Sequence, residues 1–308
     1  MRREIVSIVT GWGTRFGAGH IQRMAALVDF LERKKNMRPF IINDTCIEEP
    51  PLSLPCRALP YIQPGSSCLI RDMRDSSVEE MLRLKRYCRV ITIDDCGPGR
   101  DFADLAIDLL PNLNYPLRSK KAFIFGYNFI NSMQLIHNRS VKRTIDCAIY
   151  TGYNPPADTV DFLLSLIPDN ATCALLCGEK SFLFKERTLS DLAMPYAEAL
   201  LSSRVLISHF GITLYEGRAA GCRLISLNPT EYHSMLADKA KDDLGVINLG
   251  TREGLDPDRA RQTITAACLE NQADRIDPAL VLAHIEKRME LFYSKIAPYL
   301  ADDWPVKK

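Results

Sequence analysis

Apolar, β-branched runs alternate with runs of helical period along nearly the whole chain. Short apolar runs bounded by turn residues predict strands at Ile5–Thr10, Pro39–Ile42, Arg89–Ile93, Ala106–Leu110 and Ala122–Phe125. A second set follows at Ile145–Tyr150, Thr172–Cys177, Val205–His209, Arg223–Leu227 and Val246–Asn248. Helical spacing predicts helices at Ile21–Lys34, Ser77–Tyr87, Thr159–Leu166, Leu189–Ser202, Leu214–Ala220, Glu231–Lys241, Asp256–Glu270 and Pro278–Ala297. This alternation predicts an α/β fold with parallel sheets flanked by helices.

The alternation restarts once. Between Gly126 and Arg143 the periodicity is weak and polar residues are frequent, and a new strand–loop–helix unit then begins. The pattern predicts two similar α/β domains, residues 1–143 and 144–308, with the last helix a candidate to pack back on the first. Ligands of such sheets bind at the carboxyl ends of strands, which between facing domains means the cleft.

Composition narrows the partners. With 46% hydrophobic and 25% charged residues over 308 positions, the chain belongs with soluble globular proteins. A net charge of +1 gives no electrostatic reason to expect nucleic acid or a membrane surface. The apolar run after Met1-Arg2-Arg3 is too short for a signal peptide and reads as the first strand. Ten cysteines with no C-x-x-C pair predict buried free thiols and a cytoplasmic location. No histidine–carboxylate cluster has metal-ligand spacing, so no metal and no resident cofactor are expected.

The first candidate chemistry is Gly17-Ala18-Gly19-His20-Ile21-Gln22-Arg23, between a strand and a helix. Glycines allow close backbone approach to a ligand, and a helix N-terminus offers unpaired N–H groups to an anion. A histidine there is a candidate acid or base. The segment is neither a dinucleotide fingerprint nor a Walker loop, and a plain glycine turn explains the local pattern too.

The second is Ser208–Glu216, where a strand leads through Gly211 to Thr213, with Glu216 three residues on. Thr213 and Glu216 form a capping box in one reading. In the other, phosphate sits on the helix N–H groups and Glu216 accepts hydrogen bonds from a ribose diol. Two further strand ends, Ile93-Asp94-Asp95 and Tyr150-Thr151-Gly152-Tyr153-Asn154, carry turn and polar residues where a site would lie. Adjacent Asp94 and Asp95 point to opposite faces of an extended segment, so one at most faces the cleft. Each either serves the site or caps the turn. His209 either touches phosphate or fills a strand end.

Gly17-x-Gly19-His20-x-x-Arg23 together with Gly211-x-Thr213-x-x-Glu216-x-x-Ala219-x-Gly221 resembles the GT-B nucleotide-sugar enzymes. Within them the chain looks most like the UDP-sugar hydrolase of pseudaminic acid biosynthesis and related spore-coat polysaccharide proteins. It is similar, more distantly, to the N-acetylglucosaminyltransferase that makes lipid II. Ile93-Asp94-Asp95 followed by Asp104–Asp108 and Asn112, and the Phe125–Phe129 stretch, extend the likeness.

The resemblance implies a GT-B-like fold, with two Rossmann-like domains facing each other across a cleft. It makes His20 the base that activates water; Asp94, the second catalytic candidate, is expected from its strand end to tune His20 or to bind sugar hydroxyls. Gly17 and Gly19 would shape the turn beside the leaving phosphates. Gly211, Ile212 and Thr213, with Gly152 and Asn154, would hold the diphosphate, and Glu216 the uridine ribose. Arg23, Asp95, Tyr127 and Asn128 would line the sugar. The implied function is hydrolysis of a UDP-linked amino or deoxy sugar to free sugar and UDP, in surface-polysaccharide or nonulosonic acid biosynthesis. A GT-B glycosyltransferase and a non-catalytic nucleotide-sugar-binding protein are the alternatives. His209-Phe210 stand where that family carries two glycines, so the sugar pocket is expected to differ in shape.

Overall fold

The computed structural model describes residues 4–12, 19–42, 58–59, 62–73, 75–110, 122–124, 141–152, 157–177, 180–185, 188–269 and 278–300. The chain divides into two compact units, Met1–Phe129 with Ile285–Lys308, and Ile130–His284.

The first unit is built on β1 (Ile5–Thr10), β2 (Arg38–Ile42), β3 (Ala58–Leu59), β4 (Ser66–Asp72), β5 (Arg89–Ile93), β6 (Leu105–Asp108) and β7 (Ala122–Ile124). They form one sheet in the order β3-β2-β1-β4-β5-β6-β7, and every neighbouring pair is parallel. Parallel neighbours need crossovers. Helix α1 (Gly19–Lys35) joins β1 to β2, and α2 (Val78–Leu84) lies between β4 and β5. Helix α1 buries Ile21, Met24, Ala25, Leu27, Val28 and Leu31 along one stripe, and its last turn carries Arg33, Lys34 and Lys35, which suit the negative end of the helix dipole. Ser77 caps α2 by accepting the Glu80 N–H at 3.1 Å. The chain order reverses beside β1, with β2 on one side and β4 on the other. Connections leave such a point in opposite directions and open a crevice at the carboxyl ends of the strands.

Strand β4 was not among the predicted elements. Its ends, Ser66-Ser67 and Arg71-Asp72, interrupt the apolar run that marks a buried parallel strand. Pairing with β1 and β5 satisfies its backbone on both sides, and this decides the conformation.

The second unit carries β8 (Ile145–Tyr150), β9 (Cys173–Cys177), β10 (Lys180–Lys185), β11 (Thr188–Pro195), β12 (Ser203–Ser208), β13 (Arg223–Asn228) and β14 (Ile247–Thr251). The order is β11-β10-β9-β8-β12-β13-β14. Pairs from β9–β8 to β13–β14 are parallel, whereas β10 is antiparallel to both β9 and β11. Its helices are α3 (Ala157–Leu166), α4 (Tyr196–Ser202), α5 (Ile212–Ala219), α6 (Glu231–Lys239), α7 (Lys241–Leu244) and α8 (Pro257–Leu269). Here the reversal falls beside β8, between β9 and β12.

The helix predicted over Leu189–Ser202 is β11 up to Pro195 and helix only from Tyr196. Two residues separate β10 from β11, a spacing that favours an antiparallel hairpin, and its ladder overrides local helix propensity.

Apolar cores sit against each sheet. Val9, Ile42, Leu69, Met81 and Val90 cluster in the first unit. Cys147, Ile149, Val205, Ile207, Ile225 and Ile264 cluster in the second. Gly217 lets α5 lie on its sheet, because a Cβ there would collide with Leu206 and crowd Leu224. Helix α9 (Pro278–Leu300) brings Ile285, Met289, Phe292, Ile296 and Leu300 to one buried face. In the first unit, its Glu290 pairs with Lys35 at 2.6 Å and its Tyr293 ring meets Phe30 edge-on. All eight described cysteines are free thiols. No helix among the described residues is long and apolar enough to cross a membrane.

Candidate active site

In the first unit a cluster of charged side chains gathers at the switch point. His20 stands in the first turn of α1 and Asp72 is the last residue of β4, in register with Thr10 at the end of β1. His20 Nδ1 lies 2.9 Å from Asp72 Oδ1. Arg23, one turn further along α1, donates from Nε to Asp72 Oδ2 at 2.6 Å, and its Nη2 bonds Asp72 Oδ1 as well. The same Nη2 lies 3.3 Å from His20 Nδ1. Arg23 Nη1 reaches Asp94 Oδ2 at 2.6 Å. The spacing of three puts His20 and Arg23 on one face of α1, so both meet the carboxylate that β4 delivers.

The electrostatics follow from this packing. Asp72 is fully buried. Burial alone would raise its carboxyl, but the Arg23 guanidinium and His20 outweigh burial and hold it below the ordinary carboxylate value. Asp94 differs: burial raises its carboxyl in spite of Arg23 and of the Leu109 and Leu110 N–H groups, which it accepts at 2.7 and 3.0 Å. Asp94 holds φ of +48, a left-handed backbone that a residue with a Cβ seldom adopts. A histidine whose Nδ1 faces an ionised carboxylate is fixed in ring orientation, and that carboxylate stabilises the imidazolium formed when the histidine takes a proton.

Three sequence expectations change here. The sequence expectation makes Arg23 and Asp95 sugar ligands. Arg23 is buried and committed to two carboxylates. Asp95 is completely buried and accepts from Ser76 N–H, Ser76 Oγ, Thr92 Oγ1, Gly97 N–H and Arg71. With those donors around it, its carboxylate organises the β5 end and the loop before α2, and nothing is left over for a sugar hydroxyl. Asp94, read as catalytic, meets His20 through Arg23 rather than directly. Asp72 escaped the sequence reading altogether. The signal that could have found it is the acidic residue ending Leu69-Ile70-Arg71-Asp72, once that run is read as a strand.

In the second unit the strand ends converge on His209. Its ring stacks on Tyr150 from the end of β8 at 5.7 Å and meets His233 of α6 edge-on at 6.3 Å. Burial, then the nearby His233, pushes His209 down to about 4. A Cβ on Gly152 would stand 3.6 Å from His209 Cε1, and one on Gly211 3.8 Å from Nε2. The ring therefore occupies space between the β8 end and the start of α5. Gly152 has φ of +109, a backbone region that requires glycine. Asn228 Oδ1, at the end of β13, accepts the Phe210 N–H at 2.8 Å and pins this turn.

The helix starts earlier than the sequence suggested. Gly211 is the N-cap and makes no side-chain capping bond, Ile212 is the first helical residue, and Thr213 lies inside the first turn. Thr213 and Glu216 are thus not a capping box. Both are buried and turned to Tyr196, whose hydroxyl donates to Glu216 Oε2 at 2.5 Å and also bonds Thr213. Burial raises the Glu216 carboxyl even though Tyr196 donates to it. Glu216 Oε1 accepts no bond among the described residues. Leu214 N–H bonds Gly211 O at 3.2 Å, and no side chain caps this helix start, where uncapped N–H groups suit an anion.

Among the described residues, the hydroxyls of Thr10 and Thr151, at the carboxyl ends of β1 and β8, are buried without a hydrogen-bond partner. Of the other expected residues, Gly19 opens α1. Gly17, Asn154, Tyr127 and Asn128 lie outside the described residues. No group of three histidine, cysteine or acidic side chains among the described residues could hold a metal ion.

Solved structures share this architecture. The spinosyn forosaminyltransferase SpnP superposes with a TM-score of 0.60 at 11% identity, over 97% of this chain and 100% of that one. The spinosyn rhamnosyltransferase SpnG complexed with thymidine diphosphate gives 0.56 at 11% identity, over 94% and 96%. Arabidopsis thaliana UGT89C1 complexed with UDP-L-rhamnose gives 0.55 at 10% identity, over 98% and 99%. The chain has the GT-B fold. No protein-family model and no curated protein sequence matches it. The neighbours are sugar-transferring enzymes, and a hydrolase is not among those described.

Proposed function

We propose that this protein is a glycosyltransferase that uses a nucleoside-diphosphate sugar as donor. The observation that carries the reading is the 2.9 Å contact between His20 and buried Asp72 at the strand ends of the first unit. There His20 takes the proton from an acceptor hydroxyl as the oxygen attacks the anomeric carbon. Asp72 orients the ring and stabilises the imidazolium. The second unit binds the donor: the N–H groups at the start of α5 receive the diphosphate, and Glu216 accepts hydrogen bonds from the ribose diol. Helix N-termini stabilise the departing diphosphate without a metal.

Transfer is preferred to the hydrolysis implied by sequence resemblance because the structural neighbours transfer sugars. The chemistry of the base is the same in both, and only the nucleophile differs.

The test is incubation of the full chain with UDP-, dTDP-, GDP- and CMP-sugars in ¹⁸O-labelled water, with and without a pool of hydroxyl-bearing acceptors, read by mass spectrometry. Transfer predicts an unlabelled glycoside and free nucleotide that depend on acceptor, and loss of at least about 10²-fold in rate for His20→Ala. Labelled free sugar that forms regardless of acceptor makes the protein a hydrolase. Donor binding without any turnover makes it a binding protein.

A further inference from the structure

We infer that Arg23 is a positioning residue that balances the charge of Asp72 at His20, so that the carboxylate orients the imidazole without consuming it as a base. This rests on the reading of His20 as the base.

A carboxylate beside a histidine has two opposed effects. It fixes the ring and stabilises the imidazolium in the transition state. It also favours the imidazolium before reaction, and an imidazolium accepts no proton. A second cation beside the same nitrogen opposes the latter effect. Arg23 Nη2 is that cation, 3.3 Å from His20 Nδ1. The guanidinium holds both oxygens of Asp72 as well, Oδ1 from Nη2 and Oδ2 from Nε, so the carboxylate that faces His20 is already shared.

Helix α1 supplies both partners. With a spacing of three, His20 and Arg23 lie one turn apart on one face. The guanidinium is kept there by a second anchor, Asp94, which reaches Nη1 at 2.6 Å. Asp94 is itself fixed by accepting the Leu109 and Leu110 N–H groups from the end of β6. An ion pair needed only for packing would be complete with Asp72. The second carboxylate instead sets the guanidinium between two strand ends with one edge toward the histidine.

Among the described residues, Asp72 from β4 and Arg23 from α1 face His20, with Asp94 from the β5 end behind Arg23. Removing Arg23 takes a cation away from the histidine and leaves the Asp72 and Asp94 carboxylates in place.

The test is NMR titration of the histidine-labelled full chain, which holds five histidines. The His20 signal is assigned by its loss in His20→Gln. In Arg23→Gln the His20 titration midpoint moves up by about one pH unit, while Arg23→Lys, which keeps the charge, moves it by less than about half of that. An unmoved midpoint in folded Arg23→Gln overturns the proposal. If Arg23→Gln does not fold, Asp94→Asn reads the same balance: loss of one anion moves the midpoint down, and an upward or absent shift overturns it. The titration needs no substrate, so it remains readable if His20→Ala retains full turnover and the base reading fails. If the base reading holds, the acid limb of the kcat/KM–pH profile moves with the NMR midpoint.

Discussion

Asp72→Asn perturbs the site at its centre and keeps its shape. The amide is nearly isosteric with the carboxylate, and its oxygen can still accept from His20 Nδ1. What it loses is charge. At an effective dielectric of about 20, a carboxylate 2.9 Å from an imidazolium contributes a gross attraction of about 6 kcal/mol. A neutral acceptor keeps roughly half of such a bond, because charge-assisted hydrogen bonds are about twice as strong as neutral ones. The transition state then loses about 3 kcal/mol, or roughly 10²-fold in kcat/KM. Arg23 sharpens the loss, since its guanidinium remains beside the forming imidazolium with no carboxylate between them. The assay is the initial rate of nucleoside diphosphate release from the donor that the wild type turns over, measured from pH 5 to 9, with thermal melts of both proteins. Arg23 keeps Asp94 as a partner in the variant, so the fold survives with a modestly lower Tm. A rate within threefold of wild type in the folded variant would refute the dyad.

Two further outcomes follow from the second unit. Glu216→Gln is expected to raise Tm at pH 7 and to weaken donor binding by about tenfold, because a buried carboxylate costs stability while a charged acceptor holds a ribose diol better than an amide. Its sign is that of a raised carboxyl: the folded state keeps the proton longer, so stability falls as pH rises above 4.5, and the variant lacks that fall in a pH series of denaturant melts. His209 has the opposite sense. Its folded value near 4 lies below the ordinary 6.5, so the unfolded chain takes the proton first. Stability is therefore full above about 6.5 and declines as pH falls toward 4, and His209→Asn flattens that part of the curve.

The alternation of apolar runs and helical periods fixed the α/β class and most of the parallel strands, because a strand buried on both faces must be apolar almost throughout. The glycine-rich turn before α1 and the turn before α5 also marked strand-to-helix connections, where a helix N-terminus meets a strand end. For that reason the sequence expectation placed His20 near the start of α1 and Gly211 just before α5. Strand β4 and the β10–β11 hairpin were not, since their polar ends and helix-forming residues hide a conformation that only ladder partners stabilise. Strand order was beyond the sequence as well, and with it the switch points beside β1 and β8. Position in the chain said that Arg23 and Asp95 were near a site, but only packing showed both buried and fully engaged. Asp72 is distant from His20 in sequence, and α1 and β4 meet only because β4 pairs directly with β1. The residue types were written in the chain, whereas the contact between this histidine and this aspartate came from the order of strands in the sheet.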